Sequence, residues 1–167
     1  MKSFFAILCM SLVASAAFAQ QSSDPVVRWK SIVGVITAVN ADNPVANIHS
    51  GTFAWSARSG RAAVNLATGF AYFDVDGLVI NGTPFTGTAG PVTAVVGTVV
   101  CGAGGPQQVV RDTRTVRLSS AGSAHFAGEL SGLPTECANP IFLIRIATPA
   151  GAAGRWIATG AERSNTL

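Results

Sequence analysis

The stretch VTAVVGTVV at residues 92–100 is apolar on both faces of an extended chain. A second run, IFLI at residues 141–144, has the same character. Valine and isoleucine favour strands because their branched side chains pack well on a pleated surface. Continuous apolar runs of this length are typical of strands that are buried on both sides. The two runs therefore predict central strands of a β-rich core.

The rest of the chain repeats this pattern in weaker form. Short runs rich in Val, Ile, Thr, Phe and Trp alternate with Gly, Pro, Asn, Asp and Ser, while helical periodicity is nearly absent. The predicted strands cover residues 26–39 (with a break at Gly34), 46–55, 62–66, 71–80, 92–101, 108–112, 114–118, 124–130, 141–147 and 155–162. This spacing predicts an all-β fold, a single-domain antiparallel sandwich or closed barrel of about 8–10 short strands.

The first nineteen residues have the three parts of a secretory signal. A basic start at Lys2 precedes an uncharged, mostly apolar run at residues 4–17, and a small-x-small sequence follows at residues 17–19. The run is shorter than the roughly 20 apolar residues that span a bilayer. We therefore expect residues 1–19 to be a signal peptide. Residues 20–167 are expected to form one secreted or periplasmic domain without a transmembrane segment.

The cysteines add a second prediction. Of the three in the chain, Cys9 lies in the predicted signal, which leaves Cys101 and Cys137 in the mature protein. Oxidising compartments favour disulfides, and closing a loop of about 37 residues is expected to stabilise the fold by roughly 3–4 kcal/mol. A metal site would need further soft ligands, and His125, the nearest histidine in sequence, stands alone. A reactive thiol would need an electropositive setting. The sequence favours a structural disulfide beside the two apolar strands.

Composition argues against two classes of protein. The formal net charge is only +3 and the basic residues are scattered along the chain. A nucleic-acid site usually has a dense basic patch with stacking aromatic residues, so we expect no nucleic-acid partner. Charged residues make up 11% of the chain and hydrophobic residues 49%. This balance is unlike that of disordered proteins, which combine high charge with few apolar residues.

The best carboxylate pair is Asp74 and Asp76. Two residues apart on a strand, their side chains point the same way. Such a pair could hold a hard cation or supply an acid and a base. The further oxygen ligands and the closing glutamate of a calcium loop are missing, however. A solvated strand face is the simpler interpretation, and we predict neither a metal nor a cofactor.

The two histidines offer little support for catalysis. His49 lies near Ser50 and Ser56, and His125 shares a predicted strand face with Glu129. A hydrolase of the Ser-His-Asp type would need one of these histidines, but no Gly-x-Ser-x-Gly sequence is present. A hydrogen-bonded or strand-face role is the simpler interpretation for both. We predict no catalytic residue.

The large aromatic residues are the remaining candidates for binding. An exposed Trp29, Trp55, Trp156 or Tyr72 could stack on a sugar or anchor a partner protein. The alternative is that these rings fill the core, as large aromatics usually do. Asp74 and Asp76 complete the set of candidate binding residues.

Three segments carry a resemblance: FDVDGLVING at 73–82, GPVTAVVGTVVC at 90–101 and CANPIFLIRI at 137–146. They resemble segments of uncharacterised exported bacterial proteins, and the resemblance implies no activity. We therefore expect an exported, non-enzymatic β-sandwich or barrel domain that binds a protein, a glycan or a surface. The alternatives are a secreted hydrolase of an extracellular polymer and a self-assembling structural subunit.

Overall fold

The computed structural model describes residues 25–165, so the predicted signal at residues 1–19 lies outside the described residues. Within that range the chain forms eleven strands and no helix, which confirms the all-β class. The strands are β1 (Val26–Gly34), β2 (Ala54–Ser56), β3 (Ser59–Asn65), β4 (Phe70–Asp76), β5 (Val79–Asn81), β6 (Ala94–Cys101), β7 (Val109–Asp112), β8 (Val116–Arg117), β9 (Ala124–Glu129), β10 (Ile141–Ala147) and β11 (Ala153–Asn165).

Nine of the strands form one antiparallel sheet in the order β7-β6-β10-β11-β1-β3-β4-β9, with β8 paired to the start of β6. The short strands β2 and β5 pair separately. The large sheet curls into a half-barrel and brings β8 beside β9. No ladder joins β8 to β9 in the described sheet. The architecture is therefore a curled sheet whose two ends approach each other without closing into a hydrogen-bonded barrel.

Aromatic rings fill the interior of the half-barrel. The ring centroid of Phe73 on β4 lies 5.9 Å from that of Phe126 on β9 and 5.6 Å from that of Phe142 on β10. Trp29 on β1 lies 5.5 Å from Phe142. Because β4 and β10 are not neighbours in the sheet, these contacts are made across the interior. The rings therefore connect strands that are distant in the sheet order.

The outer side of β10 is also covered. Since Phe142 points into the half-barrel, Leu143 points out of it, yet Leu143 is 0% exposed. The loop at residues 41–51 provides the cover: the Trp156 indole Nε1 donates to the Asn43 carbonyl at 3.0 Å. Three side chains of this loop pack against the core: Val45, Ala46 and Ile48. This second layer explains why the apolar run at residues 141–144 carries no polar face.

The predicted disulfide is present. Cys101, the last residue of β6, is bonded to Cys137 in the loop that precedes β10. β6 and β10 are paired along their length, beginning with Val100 opposite Ile141. The bond therefore lies beside the two apolar strands, as the sequence predicts.

The prediction of a strand over residues 46–55 is wrong for most of its length, because β2 begins at Ala54. Ala46 and Asn47 have φ angles of 51° and 61°, in the left-handed region. They form a tight turn in which Val45 and Ile48 exchange backbone hydrogen bonds of 3.0 and 2.9 Å. The turn directs both flanking apolar side chains toward the core, which mimics the alternation of a strand in the sequence.

Two glycines end strands. β1 ends at Gly34, so the part of the predicted strand beyond this glycine, residues 35–39, is not a strand. A Cβ on Gly34 would lie 2.2 Å from the Trp55 carbonyl oxygen, so this close approach requires glycine. The predicted strand at 71–80 divides into β4 and β5 around Gly77, whose φ angle of 65° favours glycine. Gly34 and Gly77 thus mark the ends of β1 and β4, two of the strands that carry the candidate site.

Candidate functional site

Four neighbouring strands, β1, β3, β4 and β9, present a polar face on the outside of the half-barrel. Their alternate residues point into the core, so the residues between them point outward. In one row across the strands, Arg28 lies opposite Ala63, followed by Tyr72 and Ala127. Adjacent strands are about 4.8 Å apart. The row therefore places the small side chain of Ala63 between the large side chains of Arg28 and Tyr72.

A second row lies two residues farther along the same strands. Arg61 of β3 is opposite Asp74 of β4, and Asp74 is opposite His125 of β9. On the other side of Arg61, the pairing of Trp29 with Ala62 places Lys30 next in the row. Three cations, Arg28, Lys30 and Arg61, are thereby gathered from two strands that are about 30 residues apart in sequence.

Tyr72 is held in place by the charged residues around it. Its hydroxyl donates to the Asp74 carboxylate and accepts a hydrogen bond of 3.2 Å from Arg61 Nε. The Arg61 guanidinium carbon lies 5.5 Å from the centroid of the Tyr72 ring, and the His125 ring meets it edge-on at 5.4 Å. Burial, and then the hydrogen bond to Asp74, raises the pKa of the Tyr72 phenol above its usual 10.0. The phenol therefore stays protonated and keeps donating to Asp74 at neutral pH.

An open depression of 520 Å³ lies between the large side chains of these rows. It is lined by Arg28, Trp29, Lys30, Arg61, Ala62, Ala63 and Tyr72. Ala63 is the small residue in register between Arg28 and Tyr72, so space is left above its methyl group. The Arg61 side chain is 68% exposed. The depression thus offers cationic donors and an aromatic edge to a solvent-borne ligand.

Carboxylates flank the cations on both sides. Asp74 lies 3.4 Å from Arg61, measured from Oδ2 to Nε. On β11, the exposed Glu162 lies between Ala161 and Arg163, which pair with Ser31 and Trp29; its own φ angle of 52° interrupts the regular strand there. Within residues 25–165 Lys30 forms no salt bridge. The positive charge is therefore confined to the centre of the face.

Asp76 lies outside this arrangement. It shares the outer face of β4 with Asp74, as predicted, but it accepts from Arg58 and from the Ser123 hydroxyl at 2.7 Å. Asp74 is held by Tyr72 and Arg61 instead. The two carboxylates thus serve separate hydrogen-bond networks.

The three tryptophans are in the core. Trp29, Trp55 and Trp156 are 2%, 4% and 3% exposed. None of these rings offers a face on which a sugar could stack, so the alternative of core packing describes them. The half-buried Tyr72 is the one of the four candidate aromatics that reaches the surface.

Sequence reasoning missed the group formed by Arg28, Lys30 and Arg61. The spacing of Arg28 and Lys30 does place them on one strand face. Nothing in the local pattern indicates that β3 lies next to β1, however, so the third cation looks unrelated. Only the strand order brings it to the other two.

The structure also brings together Asp42, His49 and Ser50, but not as a hydrolase triad. His49 Nδ1 bonds to Asp42, and its side chain is 66% exposed. The Ser50 hydroxyl is buried, accepts from the Asn43 amide at 2.9 Å and donates to the Gly51 carbonyl at 3.1 Å. No hydrogen bond joins His49 to Ser50 among residues 25–165. The Ser50 hydroxyl lies 3.5 Å from Asp42 Oδ1 instead, so the three side chains do not form the serine-to-histidine contact of a triad. These contacts instead hold the loop that covers β10 and β11.

Exposed apolar side chains gather at another part of the surface. Backbone hydrogen bonds from Trp55 N to Val35 O and from Asn40 N to Thr52 O hold residues 35–40 against residues 52–55. The exposed side chains of these segments and of the end of β1 are Val33, Ile36, Val39 and Phe53, and Ile36 is 84% exposed. An apolar patch of this kind is the feature that self-assembly predicts.

Comparison of the chain with protein-family models, curated proteins and solved structures found no match. In the part of the chain that the structure describes, no three His, Cys, Asp or Glu side chains are grouped as metal ligands. No helix between residues 25 and 165 is long and apolar enough to span a bilayer. The outer face of β1, β3, β4 and β9 is therefore the basis of the proposed function.

The pKa values of two surface aspartates predict how the stability of the fold changes in acid. The hydrogen bond from His49 lowers the pKa of Asp42, and that from Arg58 lowers the pKa of Asp76, in each case below the ordinary 3.8. The folded chain therefore binds protons less readily than the unfolded chain. The stability that these contacts contribute is complete above about pH 5, begins to fall near the unfolded pKa of about 3.9, and is lost as the pH falls through the folded pKa values.

We expect Asp42→Asn/Asp76→Asn to flatten the fall in urea midpoint between about pH 5 and pH 2. Glu136→Gln, at an exposed carboxylate, is the matched control and should follow the unaltered protein. Parallel curves for the double variant and the unaltered protein would contradict the assignment.

Proposed function

We propose that this protein is an exported, non-enzymatic binding domain that holds an anionic ligand on the outer face of β1, β3 and β4. The observation that carries the proposal is the depression above Ala63, which Arg28, Lys30 and Arg61 line together. Guanidinium and ammonium groups are donors only, so three of them around one open space are suited to an acceptor-rich anion.

The position of the face also supports binding. It lies on regular strands, whose paired backbones hold the side chains at set spacings. Tyr72 and Asp74 orient the guanidinium of Arg61 by a hydrogen bond and an ion pair. A ligand therefore meets a site in which at least one cationic donor is already positioned, and less conformational entropy is lost on binding.

Export is the second part of the proposal. It rests on the predicted signal at residues 1–19 and on the disulfide, which is compatible with an oxidising compartment. The ligand would then be a component of the periplasm, the cell surface or the surroundings, and an acidic glycan is the class that we favour.

A second candidate function is self-assembly as a structural subunit, which the exposed apolar patch around Ile36 favours. A secreted hydrolase is the third candidate from the sequence. Its support is weaker, because the Ser50 hydroxyl is buried and bonded to backbone groups.

The first test of the proposal is removal of charge from the face. Lys30→Ala/Arg61→Ala should weaken binding to anionic polymers, measured by isothermal titration calorimetry, by at least about tenfold. Hydrogen bonds to charged groups contribute roughly 1.5–3 kcal/mol each, so the loss of even one of them corresponds to tenfold or more.

Arg58→Ala/Arg117→Ala is the matched control. It removes the same formal charge from exposed positions outside the depression. Equal weakening by both double variants would show a non-specific effect of net charge and would contradict a site on this face.

A further inference from the structure

We infer that the ligand of this face is a uronate-containing polysaccharide, with one carboxylate of the polymer seated above Ala63 among Arg28, Lys30 and Arg61. The inference rests on the proposed function, because it names the class of anion that the proposed binding face takes. We call the space above Ala63, among these three cations, the seat. The inference follows from three features of the face: the narrow extent of its positive charge, the hydrogen-bond acceptors beside the cations, and the shape of the seat.

The first feature is the narrow extent of the positive charge. In the row that contains Lys30 and Arg61, Asp74 follows on one side, and the exposed Glu162 lies on the neighbouring strand β11 on the other side. A densely charged polyanion laid along this row would place negative groups against both carboxylates. A uronate ring can place its one carboxylate on the central cations and turn its own hydroxyl groups toward the carboxylates at the ends. The face is therefore selective against sulfate-rich or phosphate-rich polymers.

The second feature is the presence of acceptors beside the seat. An ionised carboxylate accepts at about four lone-pair positions, and Asp74 uses some of them for Tyr72 and Arg61. Its remaining capacity, and that of the exposed Glu162, suits donors. Sugar hydroxyl groups are donors, whereas a sulfate or a fully ionised phosphate brings only acceptors. Hydroxyls on both sides of one carboxylate match this order of charges.

The third feature is the shape of the seat. The methyl group of Ala63 is its floor, and Arg28 and Tyr72 stand on either side in register. The part of the Tyr72 ring that lines the depression gives an apolar wall for the C–H groups of a sugar ring. The depression is open to solvent, so a polymer can enter through one internal unit without needing a chain end.

Ala63 provides the sharpest test because its methyl group is uncharged and is the floor of the seat, between Arg28 and Tyr72. Ala63→Glu should place a carboxylate in the seat, where it would compete with the carboxylate of the ligand for Arg28, Lys30 and Arg61. We expect this variant to lose at least tenfold in affinity for oligogalacturonate while its melting temperature is unchanged or raised. Ala63→Gln fills similar space without the charge and should bind with intermediate affinity.

Ala127→Glu is the matched control. Ala127 lies on the same face and in the same row, two strands beyond Ala63, and it is exposed but outside the depression. The control variant should bind oligogalacturonate as the unaltered protein does. Loss of binding in both glutamate variants, to the same extent, would overturn the seat above Ala63.

The probes are oligogalacturonate and oligomannuronate as uronates, dextran sulfate as a dense polyanion, and maltohexaose as a neutral sugar, each titrated at the same ionic strength. Binding of a uronate at least tenfold tighter than dextran sulfate supports the inference. Dextran sulfate binding that equals or exceeds uronate binding, and that is lost in Lys30→Ala/Arg61→Ala, overturns the uronate inference but leaves an anion-binding face. Absence of binding to every anionic probe overturns both the inference and the proposed function.

Discussion

Phe73→Ala is expected to lower the free energy of unfolding by about 3–5 kcal/mol, the usual cost of removing a fully buried phenylalanine side chain. Phe73 is 0% exposed and lies between Phe126 and Phe142 in the interior of the half-barrel. A Cβ on Gly97 would lie 2.8 Å from the Phe73 ring, so β6 packs closely against it. Neighbouring strands are held by their ladders and can collapse only partly into the cavity. The measurement is urea unfolding followed by tryptophan fluorescence.

Phe70→Ala is the control for this prediction. Phe70 is on the same strand, three residues away, and is 50% exposed. Its replacement should change the free energy of unfolding by less than about 1 kcal/mol, as is usual for surface positions. Similar losses in the two variants would mean that β4 is not buried as described, and the account of the interior would be wrong.

Removal of the disulfide is expected to have the next largest effect. Cys101→Ala/Cys137→Ala should lower the free energy of unfolding by about 3–4 kcal/mol, because the unfolded chain regains the freedom of the closed loop. The bond joins the end of β6 to the segment that leads into β10. These two strands are already paired, so the folded state should be nearly unchanged and the loss should appear mainly through the unfolded chain.

The unaltered protein in reductant is the control, since reduction opens the same loop without changing the sequence apart from the two thiols. Its urea midpoint should fall close to that of the double variant. A double variant within about 1 kcal/mol of the oxidised protein would contradict a stabilising role for the bond.

The same cysteines connect the fold to the proposed export. Protein taken from its native compartment should show no free thiol when its intact mass is measured before and after alkylation, and its first residue should be Gln20. A free Cys101 or Cys137 in that sample would contradict an oxidising compartment and with it the export proposal.

Much of the fold was predictable because it depends on local patterns. The run at residues 141–147 predicts β10 with the observed bounds, since apolar β-branched and aromatic residues lie between a proline and a Thr-Pro pair. The alternation at residues 124–130 predicts the half-exposed β9, in which His125 and Ala127 face solvent. In both segments neighbouring residues contain all the information that the strand requires.

The prediction failed where residues distant in sequence decide the conformation. The alternation at residues 45–48 is explained by a left-handed turn that packs Val45 and Ile48 against the core, and not by a strand. Likewise, the burial of Trp29 and the exposure of Tyr72 depend on which strand face turns inward. A one-residue shift of register exchanges the two faces of a strand, so these outcomes depend on the whole sheet.

The amino-acid sequence sufficed for the all-β class, for the two apolar strands and for the pairing of Cys101 with Cys137, because each follows from local composition or from the number of available thiols. It did not suffice for the candidate site. Arg28 and Lys30 meet Arg61 and Tyr72 only because β1, β3 and β4 are neighbours in the sheet, in a register that turns these side chains outward. Strand order and register are set by packing across the half-barrel, and alternation within a single strand carries no record of them.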